Sequence, residues 1–135
     1  MDYRATAFAK GGRKGWVKTE SGSIDSKVVP PGGGASGVTP EELLAGAWGA
    51  CYGGAYAFEA NAAGLTPNAQ FRAEVVLSVN DGIYEISSAE LTVLAEEGDS
   101  AALSEVAAKA HERCPVSKVF RNGIGTVRVE VAADV

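Results

Sequence analysis

The sequence predicts an α+β protein whose antiparallel sheets surround one long central helix. Strand-like segments are joined through short turns rather than long crossovers, which favours antiparallel pairing. One uncharged run, residues 43–58, is too long for an ordinary strand and indicates a buried helix. The 135 residues can build one hydrophobic core but not two, so we expect a single domain over residues 1–135.

Three short strands are predicted before the central helix. Residues 3–8 and 16–21 flank the turn Gly-Gly-Arg-Lys-Gly at 11–15 and form a hairpin, and a third strand covers residues 24–29. The following segment, residues 30–37, is rich in Pro and Gly and predicts a loop. It lacks the Gly-Lys-Ser/Thr ending of a phosphate-binding loop, which argues against nucleotide binding.

The start of the central helix is marked by a capping box. Thr39 is the expected N-cap, Pro40 the first helical residue, and Glu42 the residue whose carboxylate returns to the cap. The helix is predicted to run to about Asn61, and Gly64 is suited to stop it. Of the two acids in this first turn, Glu42 is therefore assigned to the cap.

The central helix has little side-chain volume for its apolar character. Glycine destabilises a helix by about 0.5–1 kcal/mol relative to alanine, so a close neighbour must offset several glycines. Two alternatives explain this. Either the helix is a thin core helix under a sheet of its own chain, or it packs tightly on a partner chain. The sequence favours neither. The glycines concerned are Gly46, Gly49, Gly53 and Gly54.

A second hairpin is predicted after the central helix. Residues 70–79 and 83–95 have strand character, and Asn80-Asp81-Gly82 between them is typical of a tight hairpin turn.

The rest of the chain predicts two helices and a last strand. Ser100 is the expected cap of a helix over residues 101–113, whose apolar face is formed by Leu103, Val106, Ala107 and Ala110. A short helix from Pro115 to about Arg121 and a final strand over residues 125–132 complete the order. The predicted order is thus three strands, a helix, two strands, two helices and a strand.

Charge and composition exclude several classes of protein. The net charge of −5 and the thin spread of 12 basic residues argue against a nucleic-acid or anionic-membrane surface. The first ten residues have an early acid and no apolar run, unlike a secretory signal. The uncharged run 43–58 is shorter than the roughly 20 residues that span a bilayer. We therefore expect a cytoplasmic protein without a membrane anchor.

The two cysteines lie in contrasting settings. Cys51 is inside the apolar helix, whereas Cys114 precedes Pro115 at a helix break, where it would cap a new helix. The positive end of a helix dipole favours a thiolate at Cys114. They form a reactive pair or are two unrelated core cysteines, and both alternatives stay open. In a reducing cytoplasm a disulfide between them would be transient.

Three segments resemble motifs of the OsmC/Ohr family, the osmotically inducible and organic hydroperoxide resistance proteins. Thr-Pro-Glu-Glu-Leu-Leu-Ala-Gly-Ala-Trp-Gly-Ala-Cys (39–51) resembles the family's Asn-Pro-Glu-Gln/Glu-Leu…Ala-Ala-Cys motif. Ala-His-Glu-Arg-Cys-Pro-Val-Ser (110–117) is similar to its second cysteine motif, and residues 11–15 to its N-terminal hairpin, which carries a functional arginine. The three matches follow the family's order. Thr39 departs from the family's common asparagine, but both residues cap helices.

The resemblance implies a thiol peroxidase that reduces organic hydroperoxides without a cofactor. It implies that Cys51 is the attacking cysteine and Cys114 the resolving one. Arg13 matches the arginine that stabilises the thiolate and polarises the peroxide, and Glu41 matches the carboxylate that orients that arginine. The family's usual reductant is a dihydrolipoyl group on a partner protein, and its members are intertwined homodimers.

Local sequence and resemblance differ on which cysteine attacks. The helix start favours Cys114 as the thiolate, but only Cys51 lies in a setting apolar enough to admit an alkyl peroxide, so we follow the resemblance. Because residues 30–37 contain no arginine, Arg13 is the only candidate cation for Cys51. By position alone, Arg13 is equally an exposed turn residue.

Other residues and other functions have simpler interpretations. Glu41 in a first helical turn often only complements the helix dipole. His111 is most simply a helix-surface residue, and it has no partner at metal-ligand spacing, so no metal is assigned. The alternative functions are a non-catalytic dimer that binds apolar ligands, with cysteines that only pack, and a redox sensor that uses the same two thiols.

Overall fold

The structure, a computed structural model, describes residues 1–32, 36–95 and 98–132. It confirms the predicted α+β class, with antiparallel sheets and one long helix that carries Cys51. Within the described residues, the strands are β1 (Ala7–Lys10), β2 (Trp16–Thr19), β3 (Asp25–Lys27), β4 (Ala69–Asn80) and β5 (Ile83–Ala95), and the helices are α1 (Pro40–Ala62), α2 (Ser100–Arg113) and α3 (Pro115–Asn122).

The chain is organised in two compact units. The first contains residues 1–46 and 75–88, and the second contains residues 47–74 and the described residues from 89 onward. Helix α1 and both strands of the β4–β5 hairpin pass from one unit into the other. The first unit holds the three-stranded sheet, and the second holds the main apolar cluster.

The sheet of the first unit is built around a glycine-rich turn. Its strands lie antiparallel in the order β1-β2-β3, and Lys10 pairs with Trp16 next to the turn. Gly11 has a φ of 82°, and a Cβ on Gly15 would lie 1.7 Å from the carbonyl oxygen of Lys10. Only glycine fits at position 15 for that reason. The turn between them, Gly12–Lys14, is a single 3₁₀ turn that presents Arg13.

The ends of the first three strands differ from the prediction. Strand β1 covers Ala7–Lys10 rather than residues 3–8, because its pairing with β2 begins at Ala7 and continues to the residue before the tight turn. Strands β2 and β3 are each shorter than predicted, and the chain turns between them through Gly22, which has a φ of 79°. The predicted loop 30–37 has no helix or strand at 30–32, and residues 33–35 lie outside the described residues.

The capping box of α1 is confirmed. The Thr39 backbone N–H donates to Oε1 of Glu42 at 2.9 Å, and the Glu42 backbone N–H donates to Oγ1 of Thr39 at 3.1 Å. The helix ends at Ala62, and Gly64 follows with a φ of 74°. The Glu42 side chain therefore forms the cap, and the Glu41 side chain is not needed for it.

The glycines of α1 do not share one environment. A Cβ on Gly53 would lie 3.1 Å from the ring of Phe71 on β4, so the helix approaches this strand closely within the second unit. A Cβ on Gly46 or Gly54 would meet no atom of the described chain within 4 Å. Close packing against Phe71 of the same chain thus accounts for Gly53, and packing on a partner chain stays an open prediction for Gly46 and Gly54.

The core of the second unit joins α1, α2, α3 and the hairpin. The rings of Tyr52 and Tyr56 both meet Phe71 edge-on, at centroid distances of 5.5 and 5.2 Å. The predicted apolar face of α2 is confirmed by the burial of Val106 and Ala110. The buried members of the cluster are Trp48, Tyr52, Ala55, Tyr56, Ala60, Val106, Ala110 and Cys114.

The hairpin turn is confirmed, but two later predictions are wrong. Asp81 and Gly82 connect β4 and β5 with φ angles of 52° and 76°, as a tight two-residue turn requires. Helix α2 is capped by Asp99, not Ser100, because the Asp99 carboxylate accepts a hydrogen bond from the Ala102 N–H at 3.3 Å. Residues 125–132 form no strand: no described strand pairs with them, and an unpaired segment has no hydrogen-bonded ladder.

We predict that the capping box stabilises the folded protein. Thr39→Ala should lower the free energy of unfolding by about 1 kcal/mol, because it leaves the Glu42 N–H without its protein acceptor. Thr39→Ser keeps a hydroxyl oxygen at the cap and is the control. Chemical denaturation of the three proteins measures the difference, and equal stability of Thr39→Ala and Thr39→Ser would contradict the prediction.

Candidate functional site

Arg13 and Glu41 form a bidentate ion pair within the first unit. Nη1 of Arg13 donates to Oε1 of Glu41 at 2.8 Å, and Nη2 donates to Oε2 at 3.0 Å. The tight glycine turn positions Arg13, and the first turn of α1 positions Glu41, whose side chain is only 15% exposed. The pairing of these two predicted residues is therefore a feature of the fold.

The ion pair fixes the charge and orientation of both groups. The hydrogen bonds from Arg13 hold the pKa of the Glu41 carboxyl below its usual value, although burial opposes them. The same hydrogen bonds raise the pKa of Arg13, so both groups are ionised near neutral pH. A guanidinium has five N–H donors, and the pair uses two of them. Within the described part of the chain the other donors make no hydrogen bond, which leaves them available to another electron-rich atom.

Cys114 ends one helix and begins the next, as predicted. Its backbone N–H donates to the Ala110 carbonyl at the end of α2, and its sulfur caps α3, with Pro115 as the first residue of that helix. The sulfur accepts a hydrogen bond from the Ser117 N–H at 3.4 Å. The Cys114 residue is 0% exposed, so this helix-capping thiol lies inside the core rather than at the surface.

Cys51 lies beside Cys114 in the second unit. Both thiols are free, and they lie close enough for each to shift the pKa of the other. Cys51 is half-buried on α1, in a stretch of the helix where Trp48, Tyr52 and Ala55 are buried. The structure thus brings together the two cysteines that the sequence singled out.

The two thiols differ in acidity. Burial raises the pKa of the Cys51 thiol, and the hydrogen bond with Cys114 raises it further. Burial also acts to raise the pKa of Cys114, but hydrogen bonds from the Ser117 amide, the Ser117 hydroxyl and the Cys51 thiol hold it below its usual value. Within this chain, Cys114 is therefore the more acidic thiol, as its helix start predicted.

Two functional candidates were not identified from the sequence. Ser117 is 0% exposed, and its Oγ accepts a hydrogen bond from Nε1–H of Trp48 at 2.8 Å. Ser117 could have been found, because a cap at Cys114 receives the N–H of the second or third helical residue, and Ser117 is the third. No sequence signal connects Trp48 to Ser117, since 69 positions separate them.

A second missed cluster lies next to Cys114. Nε of Arg113 donates to Oε1 of Glu59 at 2.9 Å, and the Arg113 guanidinium lies 3.8 Å from the ring centroid of Phe58. These contacts attach the last turn of α2 to α1, directly before the helix break that carries Cys114.

An apolar cavity of about 540 Å³ lies within the second unit near Trp48. The hydroxyl of Tyr52 donates to the Ala107 carbonyl at 2.7 Å, and burial raises the pKa of this phenol to about 12. His111, expected on a helix surface, is half-buried and lines the cavity. The other lining residues are Trp48, Tyr52, Ala89, Leu91, Thr92, Val93, Ala107 and Ala108.

In the part of the chain that the structure describes, no three His, Cys, Asp or Glu side chains are grouped closely enough to hold a metal ion. No helix among those residues has both the length and the hydrophobicity needed to cross a membrane.

The four predicted site residues therefore lie in two pairs. Arg13 and Glu41 meet within the first unit, and Cys51 and Cys114 meet within the second. Their chemical roles stay predictions.

Comparison with known proteins gives concordant matches. Residues 32–129 match the family model of OsmC-like proteins. The chain is 31% identical over 127 residues to the organic hydroperoxide resistance protein OhrB of Bacillus subtilis, covering 90% of this chain and 93% of the relative. The crystal structure of OhrB superposes with a TM-score of 0.82, over 89% of this chain and 92% of that one.

Two further relatives extend the similarity. An organic hydroperoxide resistance protein of Xanthomonas axonopodis pv. citri is 31% identical over 131 residues, covering 90% of this chain and 89% of the relative. The structure of an organic hydroperoxide resistance protein OsmC from Legionella pneumophila is 28% identical, with a TM-score of 0.73 over 90% of this chain and 91% of that one.

Proposed function

Because the chain belongs to the OsmC family, we propose that it is a thiol-dependent peroxidase that reduces organic hydroperoxides to alcohols. The observation that carries the proposal is that the free thiols of Cys51 and Cys114 lie beside each other at the apolar cluster of the second unit, close enough to shift each other's pKa. Two unrelated core cysteines need not meet. The names of the relatives, which are organic hydroperoxide resistance proteins, supply the class of substrate.

In the proposed reaction, the Cys51 thiolate attacks the terminal oxygen of the hydroperoxide. The O–O bond breaks, the alkoxide takes up a proton and leaves as an alcohol, and Cys51 becomes a sulfenic acid. The Cys114 thiol then attacks the Cys51 sulfur, forming a disulfide and releasing water. A dithiol, for which we propose a lipoyl group on a partner protein, reduces the disulfide. The bond is transient, as expected in a reducing cytoplasm.

The proposal requires a cation near Cys51. Burial raises the pKa of this thiol, so its thiolate needs a positive charge to offset the loss of solvation. Arg13 is suited to that role, because Glu41 already fixes its orientation and leaves donors free for a sulfur and a peroxide oxygen. We propose that Arg13 stabilises the thiolate and polarises the peroxide, and that Glu41 positions Arg13.

We further propose that the site is shared between two copies of the chain. Glu41 and Cys51 are ten residues apart on α1, which corresponds to about 15 Å along a helix. An arginine that pairs with the carboxylate can scarcely also contact a sulfur that far along the same helix. In a two-fold dimer, Arg13 and Glu41 of one subunit would act on Cys51 of the other. The open positions at Gly46 and Gly54 would allow close packing of the subunits.

The two cysteines should give distinct defects. Cys51→Ser should abolish peroxide consumption, because it removes the attacking sulfur. Cys114→Ser should still permit one oxidation and stop at the Cys51 sulfenic acid, because no second thiol resolves it. Mass spectrometry after exposure to cumene hydroperoxide distinguishes the two products, and the reverse pattern would overturn the assignment of attacker and resolver.

Loss of the Arg13 guanidinium should slow the first oxidation. Arg13→Ala should raise the pKa of Cys51 and reduce the rate of sulfenic acid formation without unfolding the domain, because the side chain lies on a turn. Arg13→Lys should restore only part of the rate, because an ammonium lacks the planar fork of donors. Lys14→Ala, in the same turn, is the control. A wild-type rate for Arg13→Ala would show that the cationic role belongs elsewhere.

A further inference from the structure

The Cys114 sulfur lies at the end of a buried chain of hydrogen bonds. Nε1–H of Trp48 donates to Oγ of Ser117 at 2.8 Å, and the Ser117 backbone N–H donates to the Cys114 sulfur at 3.4 Å. Indole nitrogen is only a donor, so the Ser117 hydroxyl accepts from Trp48 and keeps its own proton for another acceptor. A hydrogen bond from that hydroxyl acts to lower the pKa of the Cys114 thiol.

The two sulfurs differ in exposure and in their donors. Cys114 and Ser117 are each 0% exposed, whereas Cys51 is half-buried. The Val116 N–H acts to lower the pKa of both thiols and does not distinguish them. The two donors from Ser117 serve Cys114 alone. A negative charge is therefore better accommodated on Cys114, and an incoming reagent reaches Cys51 more easily.

We propose that the reducing dithiol attacks the Cys51 sulfur of the oxidised pair and expels Cys114 as the leaving thiolate. Ser117 and Trp48 act as positioning residues that hold this thiolate. The inference rests on the proposed function, since it describes how the Cys51–Cys114 disulfide of that cycle is reduced. It assigns a role to two buried residues that the peroxide step does not use.

The electron balance of this step is simple. A thiolate of the dithiol forms a bond to Cys51, the Cys51–Cys114 bond breaks, and its electron pair goes to the Cys114 sulfur. The second thiol of the reductant loses its proton. It then attacks the reductant's first sulfur, which is bonded to Cys51 in the mixed disulfide. This expels the Cys51 thiolate and leaves the reductant as a cyclic disulfide. Exchange is faster when the leaving thiol is more acidic, so the donors on Cys114 favour this direction.

The direction of attack can be tested without any peroxide. The disulfide is formed with diamide, partly reduced with the monothiol β-mercaptoethanol, quenched with acid and mapped by mass spectrometry. We expect the mixed disulfide on Cys51 and a free thiol at Cys114. An adduct mainly on Cys114, or equally on both, would overturn the inference. Failure of diamide to form the disulfide would overturn both the inference and the proposed redox pair.

This test separates the inference from the proposed peroxidase activity. If the adduct forms on Cys51 but the protein does not consume organic hydroperoxides, the direction of disulfide reduction stands and the peroxidase proposal falls. If peroxides are consumed and the adduct forms on Cys114, the peroxidase stands and the inference falls.

Variants test the two positioning residues. Ser117→Ala should slow reduction of the disulfide about tenfold, because the leaving thiolate loses one hydrogen bond from a hydroxyl. Ser104→Ala, at an exposed serine of α2, is the control and should reduce at the wild-type rate. Trp48→Phe keeps an aromatic ring against Phe120 and removes the N–H that holds Ser117, so it should slow reduction to a smaller extent.

A spectroscopic readout distinguishes positioning from general destabilisation. In the Cys51→Ser background, Ser117→Ala should lower the ultraviolet absorbance of the Cys114 thiolate at about pH 8. Wild-type reduction rates in folded Ser117→Ala and Trp48→Phe, with unchanged thiolate absorbance, would overturn their assigned role. If Ser117→Ala does not fold, Trp48→Phe and the adduct map on the wild-type protein decide the question.

Discussion

The cap that Cys114 makes on α3 is the interaction on which the candidate site depends. One residue closes α2 through its backbone and opens α3 through its sulfur, which receives the Ser117 N–H. The same sulfur is buried against Cys51 on α1. Because a helix end must satisfy its N–H groups, capping by a thiol places a thiolate-stabilising donor where the two cysteines meet. The Cys114 sulfur and the Ser117 N–H thus cap the helix and favour a thiolate at the same time.

The pKa values of the two thiols are shifted in opposite directions, which suits the two cysteines to different steps. Cys114 has the donors and the deeper burial, whereas Cys51 is only half-buried and has no charged partner among the residues that the structure describes. A peroxidase of this kind needs a cation at Cys51 during attack and a stabilised thiolate at Cys114 during reduction. We propose that Arg13, held by Glu41, supplies the first and that Ser117 supplies the second. We propose that the two sulfurs are specialised for the two halves of the cycle.

The features that depend on neighbouring residues could be predicted from the sequence. The features that depend on residues far apart in the chain could not. Caps and tight turns depend on a few adjacent positions, so the box at Thr39 and the thiol cap at Cys114 were predictable. Asp99 and Ser100 are adjacent residues that both cap well, and only the backbone selects Asp99. The strand expected at 125–132 required a partner strand that local sequence cannot supply. The Trp48–Ser117 bond likewise depends on tertiary packing.

The reaction of the two thiols with an organic hydroperoxide tests the central claim most directly. Thiols are titrated on the reduced protein before and after one equivalent of cumene hydroperoxide, and crosslinked species are resolved under non-reducing conditions. A Cys51–Cys114 redox pair predicts the loss of both thiols of each chain without intermolecular crosslinks. Unchanged thiols would contradict the account and favour a protein that binds apolar ligands and whose cysteines only pack.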